Sequence, residues 1–248
     1  MFFQKLRKEG IGMTKQPVGI VGAMEVEIEA VLEAAVDVTV QEHTSMKFYE
    51  GLLSGVPFVA AQCASGKVNS ALCAQVMADF YHPRMILNIG VAGGIGRDVK
   101  IGDVVIATSC VEYDFDGSGL SGCPVGQMDL PTGEEIVHFP CDEEISGKLA
   151  AAAESLYGHA HRGVIATGDK FVADPAFGRS LNENFSALAC EMEGASTAHT
   201  CYLNQIPCAV LRTISDNGND DAPADFPTFA KESAYKAQRL LAGVIESL

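Results

Sequence analysis

The chain has 248 residues, of which 48% are apolar, enough to bury a substantial core within one large α/β domain. Its 17 Lys and Arg stand against 32 Asp and Glu, a formal charge of −15 that repels a nucleic-acid polyanion and excludes that class of partner. No apolar run approaches the roughly 20 residues needed to span a bilayer, so the sequence does not read as a membrane protein.

The opening Met1-Phe2-Phe3-Gln4-Lys5-Leu6-Arg7-Lys8 carries charges where a signal peptide needs its apolar stretch. Residues 1–16 therefore read as a flexible leader and 17–248 as a single domain. A strand over 18–21 hands over to a helix over 25–35. Runs at 47–53 and 57–63, separated by Ser54-Gly55-Val56, predict a hairpin and hence a mixed sheet. A helix over 67–81 follows, then a strand over 85–89, a Gly-rich turn and a strand over 103–111, too close together for a crossover helix. Segment 114–132 is the one long loop, and loops of that length in a compact domain are usually functional. Strands at 163–166, 187–190 and 208–214 then alternate with helices at 143–156, 175–184, 194–203 and 226–247, which is the α/β signature.

The eight cysteines, Cys63, Cys73, Cys110, Cys123, Cys141, Cys190, Cys201 and Cys208, never form a Cys-x-x-Cys pair. They read as buried thiols of a cytoplasmic protein rather than a disulfide or zinc framework, and the six histidines show no ligand spacing.

Three acidic junctions carry the chemistry. In Gly22-Ala23-Met24-Glu25-Val26-Glu27 a strand passes into a helix, the usual place for a ligand crevice in an open α/β sheet. Glu25, Glu29 and Glu33 form one solvated row on the helical wheel, whereas Glu27 flanks the apolar stripe near the helix's positive end, where a carboxylate can be held ionised as a general base. In Cys190-Glu191-Met192-Glu193-Gly194 the acids either cap a helix or present a bidentate carboxylate to the vicinal hydroxyls of a ribose. In Arg212-Thr213-Ile214-Ser215-Asp216-Asn217-Gly218 the acid either caps a turn or joins the other two around a glycosidic carbon, with a base on one side and a proton donor on the other. The run Gly90-Val91-Ala92-Gly93-Gly94-Ile95-Gly96 lacks the dinucleotide pattern and precedes a strand, so a nicotinamide site is not expected.

Together with Gly168-Asp169-Lys170-Phe171-Val172, these motifs stand in the order and spacing of the 5′-methylthioadenosine/S-adenosylhomocysteine nucleosidases, which the chain resembles over nearly all of its length after Pro17. The resemblance implies a three-layer α/β/α nucleoside-phosphorylase-like fold around a mixed, partly barrel-like sheet, a homodimer, and a role in methionine salvage. It implies that Glu27 activates water with Arg212 nearby, and that Asp216, helped by Ser215, protonates the departing purine at N7. Glu193 and the Met192 backbone would hold the ribose hydroxyls, Phe171 would stack on the base, and the Val172 backbone would read its edge. Met24 and Phe226 would wall the 5′-alkylthio group, with a partner loop near 114–131 completing that pocket. No metal or organic cofactor is implied.

The chain departs from the family in three places. Cys63-Ala64-Ser65-Gly66-Lys67 stands where Ser-Gly-Ile-Gly-Lys is common, Tyr113 stands where many members have His, and 117–128 has no clear counterpart. Three other readings remain open. They are a purine nucleoside phosphorylase, which needs a basic cradle for phosphate, an aminodeoxyfutalosine hydrolase, and a nucleoside-binding module without catalysis.

Overall fold

The computed structural model describes residues 16–219 and 221–248, so the expected leader lies outside the described residues except for Gln16. Strand β1 (Val18–Gly22) is apolar throughout and buried on both faces, as a central parallel strand must be. Helix α1 (Glu25–Glu33) follows it, and the row Glu25, Glu29 and Glu33 is exposed as expected. The predicted hairpin forms between β3 (Met46–Leu53) and β4 (Val56–Gln62).

A preceding strand, β2 (Ala35–His43), is absent from the sequence reading. Its alternating Val36, Val38 and Val40 carry the period of two, but the valines face outward at 58%, 40% and 55% exposure, opposite to the usual inward pattern. Helix α2 (Lys67–Tyr81) falls where its periodicity places it.

The Gly-rich segment is not a turn, which corrects the expectation. Strand β5 (Met85–Gly94) runs straight through it, and β6 (Val104–Glu112) follows without an intervening helix. The long loop is also more ordered than expected. It contains the single turn α3 (Ser118–Ser121) and β7 (Met128–Asp129), which pairs with β8 (Glu135–Ile136), and then β9 (Phe139–Pro140) adds to β6.

The remaining elements are α4 (Glu143–Tyr157), β10 (His161–Thr167), α5 (Pro175–Phe185), β11 (Ala187–Glu191), α6 (Gly194–Asn204), β12 (Cys208–Asp216) and α7 (Ala222–Val244). Helix α7 begins four residues before the expected start, so Phe226 lies within its first turns rather than at its origin.

The main sheet has the order β11-β10-β6-β12-β5-β1-β4-β3-β2, and β11 also pairs with β5 through Ala189 opposite Gly94 and Cys190 opposite Gly93. That extra pairing closes β11, β10, β6, β12 and β5 into a small mixed barrel, with β1 to β4 extending from it as an open flank. Closure depends on the absence of side chains, because a Cβ on Gly94 would lie 3.1 Å from both Ile214 and Val99.

Alternate residues of the flank feed two cores. Val18, Ile20, Phe58 and Ala60 pack against α1, α4 and α7, while Val21, Val59 and Ala61 pack against α2 and α6. Helix α5 covers β10 and β11 through Leu181. Among the described residues no helix is long and apolar enough to cross a membrane.

Candidate active site

The carboxyl ends of β1, β4, β5, β10, β11 and β12 meet at one cavity of about 260 Å³. Its lining includes Met24, Glu27, Phe171, Val172, Met192, Glu193, Ser215, Asp216 and Phe226, so every site residue expected from the sequence reaches it except Arg212. Seven of the cysteines are buried free thiols, as expected.

Glu27 sits in the first turn of α1 and folds back over the strand end. One carboxylate oxygen accepts the N–H groups of Ala23 at 2.7 Å and Met24 at 2.9 Å, and the other accepts the Val91 N–H at 3.2 Å. Burial raises the carboxyl above its ordinary 4.5, opposed by those three donors and by the charge of Arg212. The close approach of β5 requires a glycine here, since a Cβ at Gly90 would stand 2.7 Å from Glu27 Oε1.

Asp216 owes its position to an irregularity. The register between β12 and β5 slips between Ile214 and Asp216, so Ser215 is the extra residue of a bulge. Neighbouring strand residues normally face opposite sides, yet here both Ser215 and Asp216 line the cavity. Ser215 Oγ donates to Asp216 Oδ2 at 2.9 Å and the Gly218 N–H donates to Oδ1 at 2.9 Å. Burial raises this carboxyl above its ordinary 3.8 despite both donors.

The two acids after Cys190 divide the two roles that their spacing left open. Glu191, on the strand side of the N-cap residue Glu193, satisfies the start of α6, its Oε2 accepting the N–H groups of Glu193 at 2.9 Å and Gly194 at 2.7 Å. Glu193 turns to the cavity, where its Oε1 accepts the Gly66 N–H at 2.8 Å. Burial and the neighbouring Glu191 charge push its carboxyl up to about 7. Phe171 is 44% exposed at the mouth and meets Phe226 edge to face, with ring centroids 5.7 Å apart.

Arg212 lies beneath this floor, 1% exposed. Its guanidinium donates to Glu191 Oε2, to Asn88 Oδ1, and to the carbonyls of Asn88 at 3.2 Å and Leu211 at 3.0 Å. Thr167 Oγ1 donates to the other oxygen of Glu191 and accepts the Ala195 N–H at 2.8 Å. The network continues from Asn88 to Thr197 at 2.8 Å and from Thr197 to Ser70 at 2.6 Å. Sequence reasoning gave Glu191 no role of its own and did not single out Asn88 or Thr167. The Arg212–Glu191 pairing spans 21 residues of sequence, and nothing local announces it.

Residues 17–247 match the family described as the Phosphorylase superfamily. A 5′-methylthioadenosine/S-adenosylhomocysteine nucleosidase of Shewanella pealeana is 32% identical over 237 residues, covering 93% of this chain and 99% of the relative. An aminodeoxyfutalosine nucleosidase of Campylobacter jejuni is 36% identical over 231 residues, with 93% and 99% covered. A crystal structure of a Helicobacter pylori nucleosidase mutant with 5′-methylthioadenosine in its active site superposes with a TM-score of 0.89 at 32% identity, covering 95% of this chain and all (100%) of the other. The Neisseria meningitidis nucleosidase in complex with methylthio-immucillin-A superposes at 0.88 and 31% identity, with 94% and 100% covered. The fold and sequence place the chain in the phosphorylase superfamily, among its N-glycosyl hydrolases. Within that class it belongs to the 5′-methylthioadenosine/S-adenosylhomocysteine nucleosidase family.

The buried ion pair generates a stability prediction. Arg212→Met leaves Glu191 buried without its cation and should cost about 3–5 kcal/mol in urea unfolding. Adding Glu191→Gln should recover part of that loss. If the two losses simply add, the pairing is not what holds these residues in place.

Proposed function

We propose that this chain hydrolyses the N-glycosidic bond of 5′-methylthioadenosine, S-adenosylhomocysteine or a related adenine nucleoside, releasing adenine and the thioribose moiety. The observation that carries this reading is the pair Glu27 and Asp216, buried on separate strand ends of one cavity and each held by its own hydrogen bonds. The two carboxylates meet β5 at different points, Gly90 underlying Glu27 and Gly93 underlying Asp216.

In this reading Glu27 removes a proton from water as it attacks C1′, and Asp216 delivers its proton to purine N7 as the glycosidic bond breaks. Glu193 and the Met192 backbone hold the ribose hydroxyls, and Phe171 stacks on the base beside the Val172 backbone. Met24 and Phe226 wall the 5′ substituent. Surplus carboxylate charge around the sugar favours the oxocarbenium-like transition state. The reaction calls on no cofactor.

Phosphorolysis fits the site less well. The N–H groups at the start of α1, where a phosphate would bind, are already taken by Glu27, and Arg212 is committed to Glu191 and Asn88. Adenine release from methylthioadenosine, with and without inorganic phosphate, tests the proposal, and release that requires phosphate would overturn it. The Campylobacter relative makes aminodeoxyfutalosine a second nucleoside to try. The working compartment in this reading is the cytoplasm, and methylthioadenosine turnover there is a step of methionine salvage.

Glu27→Gln keeps the volume and hydrogen-bonding capacity but removes the base, so turnover should fall by at least about a hundredfold with nucleoside affinity retained. Glu29→Gln on the exposed row should be nearly silent. The wild-type acid limb should have its midpoint above 4.5, because burial raises the Glu27 carboxyl and only its ionised form is active. That limb should vanish in Glu27→Gln, and its persistence would assign the titration to another group.

Asp216→Asn should lose most activity on adenine nucleosides and far less on synthetic ribosides whose leaving group needs no proton. Equal losses on both would remove the general-acid role.

A homodimer is part of the proposal. Val68 and Leu72 of α2 and Phe115, Leu120 and Val125 of the adjoining segment are exposed apolar side chains, with Leu120 at 96%. Analytical ultracentrifugation at micromolar concentration should give twice the chain mass, and a fully active monomer would refute it.

A further inference from the structure

The six histidines show no ligand spacing along the sequence, but the fold brings two of them to one aspartate at the end of the barrel remote from the cavity. Asp103 stands just before β6, His161 opens β10, and His159 lies two residues earlier, after Gly158 ends α4 with φ +86°. Strands β6 and β10 run parallel with His161 opposite Val105, so all three side chains gather at the amino ends of these strands. The cavity is reached from the other end, beyond Thr167.

His159 Nε2 lies 2.8 Å from Asp103 Oδ1 and His161 Nε2 lies 3.0 Å from Asp103 Oδ2. The three ligand atoms are all within 4.8 Å of one another. The carboxylate is oriented independently of the imidazoles by the Lys100 N–H, which donates to Oδ2 at 2.9 Å. The side chain of His159 is 58% exposed, against 23% for His161 and 12% for Asp103, so one side of the cluster is open to water.

We propose that Asp103, His159 and His161 form a binding site for a divalent cation of the zinc class, separate from the catalytic cavity. Two neutral imidazoles and one carboxylate are a donor set for zinc, cobalt or nickel, with water completing the shell. Calcium and magnesium prefer oxygen ligands throughout. Bonds of about 2.0–2.1 Å in a tetrahedral shell put neighbouring ligand atoms about 3.4 Å apart. The two carboxylate–imidazole contacts, at 2.8 Å and 3.0 Å, are made to different oxygens of Asp103, so an ion would take one of those oxygens with both imidazoles, and the exposed His159 has the freedom to adjust. The nearby Lys236, which donates to the Gly102 carbonyl, opposes a second positive charge and limits the affinity. A bound ion would tie the starts of two barrel strands to the end of α4.

The test uses the full chain, stripped of metal with a chelator and titrated with zinc and with cobalt. The expected result is one ion per chain, saturating in the micromolar range, with a raised melting temperature and a cobalt spectrum free of thiolate charge-transfer bands. Asp103→Asn and His161→Ala should each weaken binding by at least about tenfold, and His159→Gln, a change at an exposed position, serves if either of those fails to fold. His138→Gln should bind as wild type does, and adenine release should be unchanged by the metal. No saturable binding below millimolar zinc, equal binding in all three variants, or a thiolate band in the cobalt spectrum would each overturn the proposal. The first of these outcomes would leave the cluster as two histidines hydrogen-bonded to one carboxylate.

Discussion

The cavity depends on one buried cation among the described residues. Arg212 is 1% exposed and faces the charges of Glu191, Glu193 and Glu27, which are themselves at most 8% exposed. Three carboxylates in such a place carry a large desolvation cost, which is why burial raises both Glu27 and Glu193. The guanidinium offsets part of that cost through the pair with Glu191 and by acting at longer range on the other two. What remains is an excess of negative charge facing the cavity, and a sugar acquiring positive character as its bond to the base breaks would relieve it.

Around that charge arrangement, backbone geometry does most of the positioning. The three donors to Glu27 are peptide N–H groups, as are one donor to Asp216 and the donor to Glu193. Peptide groups at the ends of packed strands have little freedom to reorient, so the acids are held in place before any ligand arrives. The bulge at Ser215 serves the same end by turning two consecutive side chains to one side.

The parts of this arrangement legible in the sequence were those with a local cause. Period and turn chemistry located α2 and the β3–β4 hairpin, and the strand-to-helix junctions marked Glu27, Glu193 and Asp216 as acids at the carboxyl ends of strands. The resemblance to a known family separated those three from their plainer readings as caps and solvated charges. The parts that stayed hidden have non-local causes. The glycine run after Ile89 reads as a turn until the pairing of Gly93 and Gly94 with β11 is known. The bulge in β12 depends on its register against β5 and has no signature of its own. Glu191 looks interchangeable with Glu193 until the distant Arg212 and Thr167 claim it. The grouping of Asp103 with His159 and His161 likewise requires β6 and β10 to be neighbours.

The glycines of β5 also bear on how such a protein can change over time. Where Gly90 and Gly93 pass beneath the two carboxylates, the floor of the cavity is main chain, and substitution there disturbs the acids directly. The opposite is true of Met24, Ser65, Phe171 and Phe226, which line the cavity yet are not part of the buried core. New side chains at these rim positions leave barrel closure and the two buried carboxylates intact. On the proposed reading, the shape of the nucleoside accepted is therefore free to drift while the two buried carboxylates stay fixed, and proteins with different preferred nucleosides can share one floor.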